Sequence, residues 1–309
     1  MQNEKWDTII IGGGPAGLNA ALYASRANLK VLFIEKGAPG GKLSTTSKVE
    51  NWIGTPMIEG WQIALDFFEH AKKYGAVYKY GTVINVTSND KYDFEVELAS
   101  GEKLHSKTVL VATGMENRVP TFIKNIDRYM HAGVSFCAIC DGPLYKGRPT
   151  LVLGAGNSAV EESIYLSSIA TEVNLVIKDD FFTAEQRLVD ELLKLPNVKV
   201  YKQSKILEIG GEGQLEWALI EDKDGQTSKI EVASFFPYIG MEPKAQFIEK
   251  LGVLDHKGFI QTNENMETKV PGLFAAGDIR EKEIRQIVTA ASDGSIAAKR
   301  ITDIANTLK

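Results

Sequence analysis

From Trp6 the chain reads WDTIIIGGGPAGLNAALYASRAN, an almost unbroken apolar run that stops at three glycines and gives way to apolar residues at helical spacing. A run without alternation predicts a strand buried on both faces, as in a parallel sheet, over residues 6 to 12. A second apolar run, from Lys30 to Ile34, ends on Glu35, so strand, glycine turn, helix and strand fit within about thirty residues. The pattern returns at TLVLGAGNSAVEESIYLSSIATEVNLVIK, from Thr150 to Lys178, with glycines at 154 and 156 and Ala159 in the third place. The chain carries a divergent internal repeat.

Two such units predict an α/β protein with two Rossmann-like dinucleotide-binding domains, not one large sheet. The segments ATGMENRVP at 112 to 120 and PYIGMEPKA at 237 to 245 each follow an apolar run and place Gly-Met-Glu ahead of a proline. Taken as paired linkers, they make residues 118–243 an insertion in a first domain formed by 1–117 and 244–309.

A length of 309 residues, beyond what one core usually organises, agrees with two domains. The net charge of −5 offers no general basic surface, so nucleic acid and anionic lipid are not expected partners. No apolar stretch approaches the roughly 20 residues of a membrane helix, and three isoleucines before the glycines are too few for a secretory signal. A soluble, cytoplasmic protein is expected.

In Gly12-Gly13-Gly14-Pro15-Ala16-Gly17, glycine permits the tight turn at 12, backbone approach to a pyrophosphate at 14 and close helix packing at 17. Glu35 ends the next strand, where a carboxylate can accept hydrogen bonds from a ribose. Near the C-terminus GLFAAGDIR sets Asp278 just after an apolar strand, a second place for a carboxylate to meet hydroxyls. The two cysteines of the chain are Cys137 and Cys140, a spacing that suits a disulfide or half of a zinc site. Zinc needs two more ligands, and His70, His105, His131 and His256 have no paired spacing, so no metal is expected and redox chemistry is favoured over metal or inert thiols. Gly133 suggests a loop leading into a helix whose N-terminus would lower a thiol pKa. Asp141 is either a solvated carboxylate or an acid that protonates a leaving thiolate.

The ordered set GGGPAG, VENWIG, ATG, CAICDG, GAGNSAVEE, GLFAAGDIR and RQIVTAASDG resembles the low-molecular-weight thioredoxin reductases over nearly the whole chain. That resemblance implies a homodimeric flavoprotein with FAD in the discontinuous domain and the cysteine pair in the inserted one. Carried over, Cys140 faces the flavin, Cys137 attacks the disulfide of thioredoxin or a similar protein, and Asp141 is the acid. FAD contacts fall on Gly12, Gly14, Ala16, Glu35, Gly41, Lys42, Asn51, Val83, Gly114, Asp278 and Gln286. Domain rotation, which the two linkers would serve, lets the dithiol meet flavin and substrate in turn.

Three departures from that pattern bear on function, one of them the second glycine loop GAGNSA, whose shape suits a pyrophosphate but would be the same in a relic of an ancestral fold. Lys42 replaces the usual glutamine after Gly40-Gly41, and a cation there can stabilise an anionic reduced flavin or point into solvent. After the second-repeat strand, where the family sets a histidine and arginines around the extra phosphate of NADPH, the chain reads Ile177-Lys178-Asp179-Asp180-Phe181-Phe182-Thr183, with Arg187 the nearest arginine. One lysine beside two carboxylates does not reproduce a bidentate arginine clamp. NADPH is therefore doubtful, and reduced ferredoxin is the expected donor. The alternatives are a nicotinamide donor, with Asp179 or Asp180 accepting the ribose hydroxyls of NADH, and an oxygen-using dithiol oxidase of the same fold.

Overall fold

The computed structural model describes residues 5–46, 48–130 and 132–308. The chain divides into two compact units, Met1–Glu116 with Glu242–Lys309, and Asn117–Met241. His131 lies outside the described residues.

The chain opens with β1 (Trp6–Ile11), α1 (Pro15–Arg26) and β2 (Val31–Glu35). It continues through α2 (Gly60–Lys73) and β3 (Val77–Tyr80) to a meander of β4 (Val83–Asp90), β5 (Asp93–Leu98) and β6 (Lys103–Val111), and leaves along β7 (Met115–Asn117). The second unit holds the one-turn α3 (Ala138–Asp141), then β8 (Thr150–Leu153), α4 (Asn157–Ser167), β9 (Val173–Val176), α5 (Gln186–Leu192) and β10 (Val198–Tyr201). An antiparallel trio follows, β11 (Lys205–Gly210), β12 (Trp217–Glu221) and β13 (Thr227–Glu231), before β14 (Ser234–Pro237). The chain returns along β15 (Met241–Pro243), which pairs with β7, and closes the first unit with β16 (Leu273–Ala275) and α6 (Ile287–Thr307).

In the first unit the parallel order is β3-β2-β1-β6, with β16 on the far side of β6. The absence of alternation in β1 has its reason here. Ile10, Phe33, Leu110 and Phe274 enter the core under α1 and α6, while Ile9, Ile11, Leu32, Ile34 and Val109 enter a second core on the opposite face. Both faces of these strands are apolar because both are covered. The second unit repeats the plan with β10-β9-β8-β14, all parallel, so the internal repeat is a repeat of architecture.

Helices α1 and α6 approach through small residues, Ala16, Ala20, Ala21 and Ala24 against Ala290, Gly294, Ala297 and Ala298. A Cβ on Gly294 would fall inside van der Waals contact of the Ala16 carbonyl oxygen. Gly294→Ala is therefore expected to lower stability by about 1–3 kcal/mol, as overpacking of a close contact does. Thermal unfolding of the apoprotein measures it, and an unchanged midpoint would mean that the helices separate freely.

Candidate functional site

The glycine turn between β1 and α1 positions the first site. Gly12 has φ +109, and a Cβ there would collide with the Ala112 carbonyl at the end of β6, so only glycine fits. Gly14 is the extended N-cap of α1, with open space beside it and Pro15 in the first helical turn. The Glu35 carboxylate reaches back across this turn. Its Oε2 accepts from the Gly13 backbone N–H at 2.7 Å and its Oε1 from the Gly37 N–H at 2.8 Å. Each carboxylate oxygen keeps a further lone pair, so Glu35 can brace the loop and still accept from a ribose.

A cavity of about 270 Å³ opens beside this turn, lined by Gly12, Glu35, Lys36, Val83, Thr113, Gly114 and neighbouring residues of the same unit. Four residues singled out from the sequence, Gly12, Glu35, Val83 and Gly114, thus share one wall. The others gather along the same unit. Gly40 donates its N–H to the Gly13 carbonyl at 2.7 Å, which brings Gly41 against Gly14. Asn51 Nδ2 donates to Gln286 Oε1 at 3.0 Å, and Gln286 is the N-cap of α6 within a capping box. Ala16 is buried on α1 beside Gly277.

Asp278 follows β16 in a tight turn, Gly277–Ile279. Its Oδ1 is sealed from solvent with no hydrogen-bond partner among the described residues. Burial raises its pKa, against the pull of Lys282, Arg285 and Lys42. Lys42 answers from the 3-10 turn Gly41–Thr45; the residue is exposed along its length, but protein crowding its ammonium lowers its pKa, and the charges of Asp278 and Glu116 oppose that. Asp293 pairs with the same Lys282 and with one further cation, Arg280, each at 3.0 Å. Cations therefore outnumber carboxylates around an orphaned acceptor, an arrangement that fits a ligand bringing both hydroxyl donors and negative charge. FAD has that chemistry, with ribityl hydroxyls and a pyrophosphate. Lys282 and Arg285 were not singled out from the sequence, although the spacing of Arg280, Lys282 and Arg285 after Asp278 was there to be read.

In the second unit Cys137 and Cys140 form a disulfide, with their Cα atoms 5.3 Å apart. Cys137 is the N-cap of α3, and its sulfur accepts from the Cys140 backbone N–H at 3.2 Å. The expected helix is a single turn, so a long helix dipole does not act on the thiols and what remains is the local N–H contact. Ser135 fixes the approach by accepting from the Cys137 N–H at 3.1 Å. Asp141 ends the turn, half-buried, and its charge raises the pKa of Tyr145 after burial has done so. Among the described residues no group of three or more His, Cys, Asp or Glu side chains could hold a metal ion.

The second glycine loop keeps its turn, with Gly154 at φ +141 and Gly156 as the extended N-cap of α4. Lys178, Asp179, Asp180 and Thr183 are all exposed just after β9, and Arg187 is exposed on α5. Asn157 at the start of α4 accepts from the Glu185 backbone N–H at 2.8 Å and holds the Glu185 carboxylate at 3.3 Å. A third carboxylate thus stands by the turn where a nucleotide phosphate would dock.

Residues 6–294 match the family model described as pyridine nucleotide-disulphide oxidoreductase. Thioredoxin reductase of Mycoplasmopsis pulmonis is 48% identical over 98% of this chain and 98% of its own length, and that of Bacillus subtilis 42% identical over 97% and 95%. The crystal structure of Lactococcus lactis thioredoxin reductase in its FR conformation superposes with a TM-score of 0.93 at 32% identity, covering 98% of this chain and all of that one. Thioredoxin reductases of this family bind FAD. The orphaned Asp278 oxygen, the surrounding cations and the glycine turn make the first unit a fit for it. Among the described residues no helix is long and apolar enough to cross a membrane. The chain belongs to the pyridine nucleotide-disulphide oxidoreductase family, as a flavoprotein of the thioredoxin reductase kind.

Proposed function

We propose that this flavoprotein passes electron pairs through Cys137 and Cys140 to the disulfide of thioredoxin, and that its electron donor makes no use of an NADPH phosphate clamp. FAD, when bound, supplies the two-electron centre that couples donor to dithiol. The chain's own residues do the rest. Glu35 and the first glycine turn would hold one end of the cofactor, while Asp278, Asn51 and Gln286 would meet its polar groups. Lys42 would supply positive charge able to stabilise an anionic reduced flavin. Cys140 takes the electron pair, Cys137 attacks the substrate disulfide, and Asp141 protonates the sulfur that leaves. A homodimer and the hinge use of the two linkers come with the family resemblance.

The reading of the donor is carried by one observation, the exposed Lys178-Asp179-Asp180 run with Glu185 beside the second glycine loop. A 2′-phosphate with nearly two negative charges would meet three carboxylates there. Reduced ferredoxin avoids that site altogether. None of the relatives named above has ferredoxin in its description, so the ferredoxin reading rests on the missing clamp alone. NADH is the second reading, favoured by the retained turn at Gly154 and by two carboxylates suited to ribose hydroxyls. Anaerobic titration of the FAD-loaded protein with NADPH, NADH and reduced ferredoxin in turn separates them. NADPH is expected to bleach the flavin spectrum at least about tenfold more slowly, since each lost charge-assisted bond costs about 1.5–3 kcal/mol. Thioredoxin reduction with NADPH at a micromolar KM would overturn the proposal.

A further inference from the structure

Two of the cations that follow Asp278 are committed to other groups. The Arg280 guanidinium pairs with Asp293 at 3.0 Å, and its Nε–H donates to Thr262 Oγ1 at 2.7 Å. Lys282 donates to Asp293 at 3.0 Å. Arg285 differs. Its Nε is sealed from solvent and has no hydrogen-bond partner among the described residues. Asp278 Oδ1 is sealed and unpartnered in the same way, so a buried donor and a buried acceptor are both left unmatched in the first unit.

Backbone pairing and ring packing bring these two side chains to one place. Ile260 bridges to Arg280 in parallel fashion, its N–H donating to the Ile279 carbonyl at 3.0 Å and its carbonyl accepting from the Glu281 N–H at 3.1 Å. Phe259 therefore runs beside the turn that carries Asp278. Its own N–H donates to the Asp255 carboxylate at 2.8 Å, which fixes the start of that segment. The Arg285 guanidinium lies over the Phe259 ring, 4.7 Å from the centroid, within cation–π range. Burial raises the Asp278 pKa, and the charge of Arg285, after that of Lys282, opposes the rise.

Unmatched buried polar atoms cost stability, and a donor and an acceptor at one place are both satisfied by a single group that can accept and donate. A phosphate oxygen only accepts, and the carboxylate would repel it. A hydroxyl does both.

We propose that Arg285, held by Phe259, is a binding residue for the ribityl chain of FAD, one hydroxyl of which donates to Asp278 and accepts from the Arg285 Nε–H. The inference deepens the assignment of FAD to the first unit and rests on it. Phe259 is a positioning residue, since its ring keeps the guanidinium plane from swinging its Nε–H away. Lysine would not substitute for Arg285, because an ammonium has neither the flat face that stacks nor a donor at the Nε position.

The test titrates the full-chain apoprotein with FAD and reads the dissociation constant from flavin fluorescence. A parent that binds no FAD would overturn the assignment of the cofactor together with this proposal, whereas the variants judge Arg285 by itself. Arg285→Ala and Arg285→Lys are each expected to weaken FAD at least about tenfold, the loss of a charge-assisted hydrogen bond. Asp278→Ala should do the same, and adding Arg285→Ala to it should cost little more, because one hydroxyl serves both residues. Phe259→Leu is expected to weaken FAD about threefold in the parent and not at all in Arg285→Ala, while Phe259→Tyr restores the parent value. Among FAD analogues that each lack a different ribityl hydroxyl, one should bind the parent about tenfold more weakly than FAD and bind Arg285→Ala as well as FAD does. Parent affinity in Arg285→Lys would mean that charge alone suffices, and parent affinity in Arg285→Ala would leave water as the partner of both atoms; either result overturns the proposal. So would fully additive losses at Asp278 and Arg285, or equal binding of every analogue. Thermal unfolding of each apoprotein checks the fold, and should Asp278→Ala not fold, the analogue series with the parent and Arg285→Ala decides the matter.

Discussion

Replacing either Cys137 or Cys140 with serine is expected to abolish thioredoxin reduction, by a factor on the order of 10³ or more, as loss of one member of a covalent relay does. Disulfide exchange needs two sulfurs in succession. One attacks and forms a mixed disulfide, and the other displaces the product and closes the intramolecular bond. A serine hydroxyl in place of either breaks the relay after at most one event. The 5.3 Å separation of their Cα atoms shows that the turn is already shaped for closure. The two variants should differ in what accumulates. Cys140→Ser retains the attacking Cys137 and is expected to trap a mixed disulfide with thioredoxin on a non-reducing gel, while reduced Cys137→Ser retains a thiolate that perturbs the flavin spectrum. Near-parent turnover in either variant would make the pair structural, and equal trapping in both would reverse or erase the assigned roles.

Gly12→Val is expected to yield protein without FAD. The substitution combines two penalties at one atom, a β-branched side chain at φ +109 and a Cβ inside contact of the Ala112 carbonyl. The chain can relieve both only by moving the turn, and the same turn carries Gly13 onto Glu35 and opens the wall of the 270 Å³ cavity. Backbone strain of about 1–3 kcal/mol, added to the lost alignment of N–H groups, is enough to weaken a dinucleotide at least tenfold. Absorbance at flavin wavelengths after reconstitution measures the loss. Far-UV circular dichroism and the thermal unfolding midpoint of the apoprotein serve as the control that the variant has folded, and full FAD occupancy would show that the loop tolerates what its geometry forbids.

The α/β class was legible in the sequence because its signals are local. A buried parallel strand must be apolar on both faces, so the runs at Trp6–Ile11 and Thr150–Leu153 announced themselves without reference to anything distant. Glycines at a strand-to-helix turn, and two cysteines close enough to bond, are equally local, and the resemblance added an order of motifs spread across the whole chain. The start of the cysteine helix was legible for the same reason, with Cys137 at its N-cap. Sequence shows where a helix can begin, but its length depends on packing against α4, and here it stops after one turn.

What residues separated by hundreds of positions do to one another was decided only by the tertiary structure. Asn51 meets Gln286, and the charge of Asp278 acts on Lys42, neither of which a linear pattern encodes. Burial is the physical reason these meetings matter. An aspartate in a loop is ordinary in water, but Asp278 with a sealed oxygen and three nearby cations is a binding group in search of hydroxyls. A glutamate on a helix is ordinary on a surface, but burial pushes the Glu162 carboxyl up to about 7. Sequence supplied the residues and their local geometry, and the dielectric each one experiences was set only when the chain closed around it.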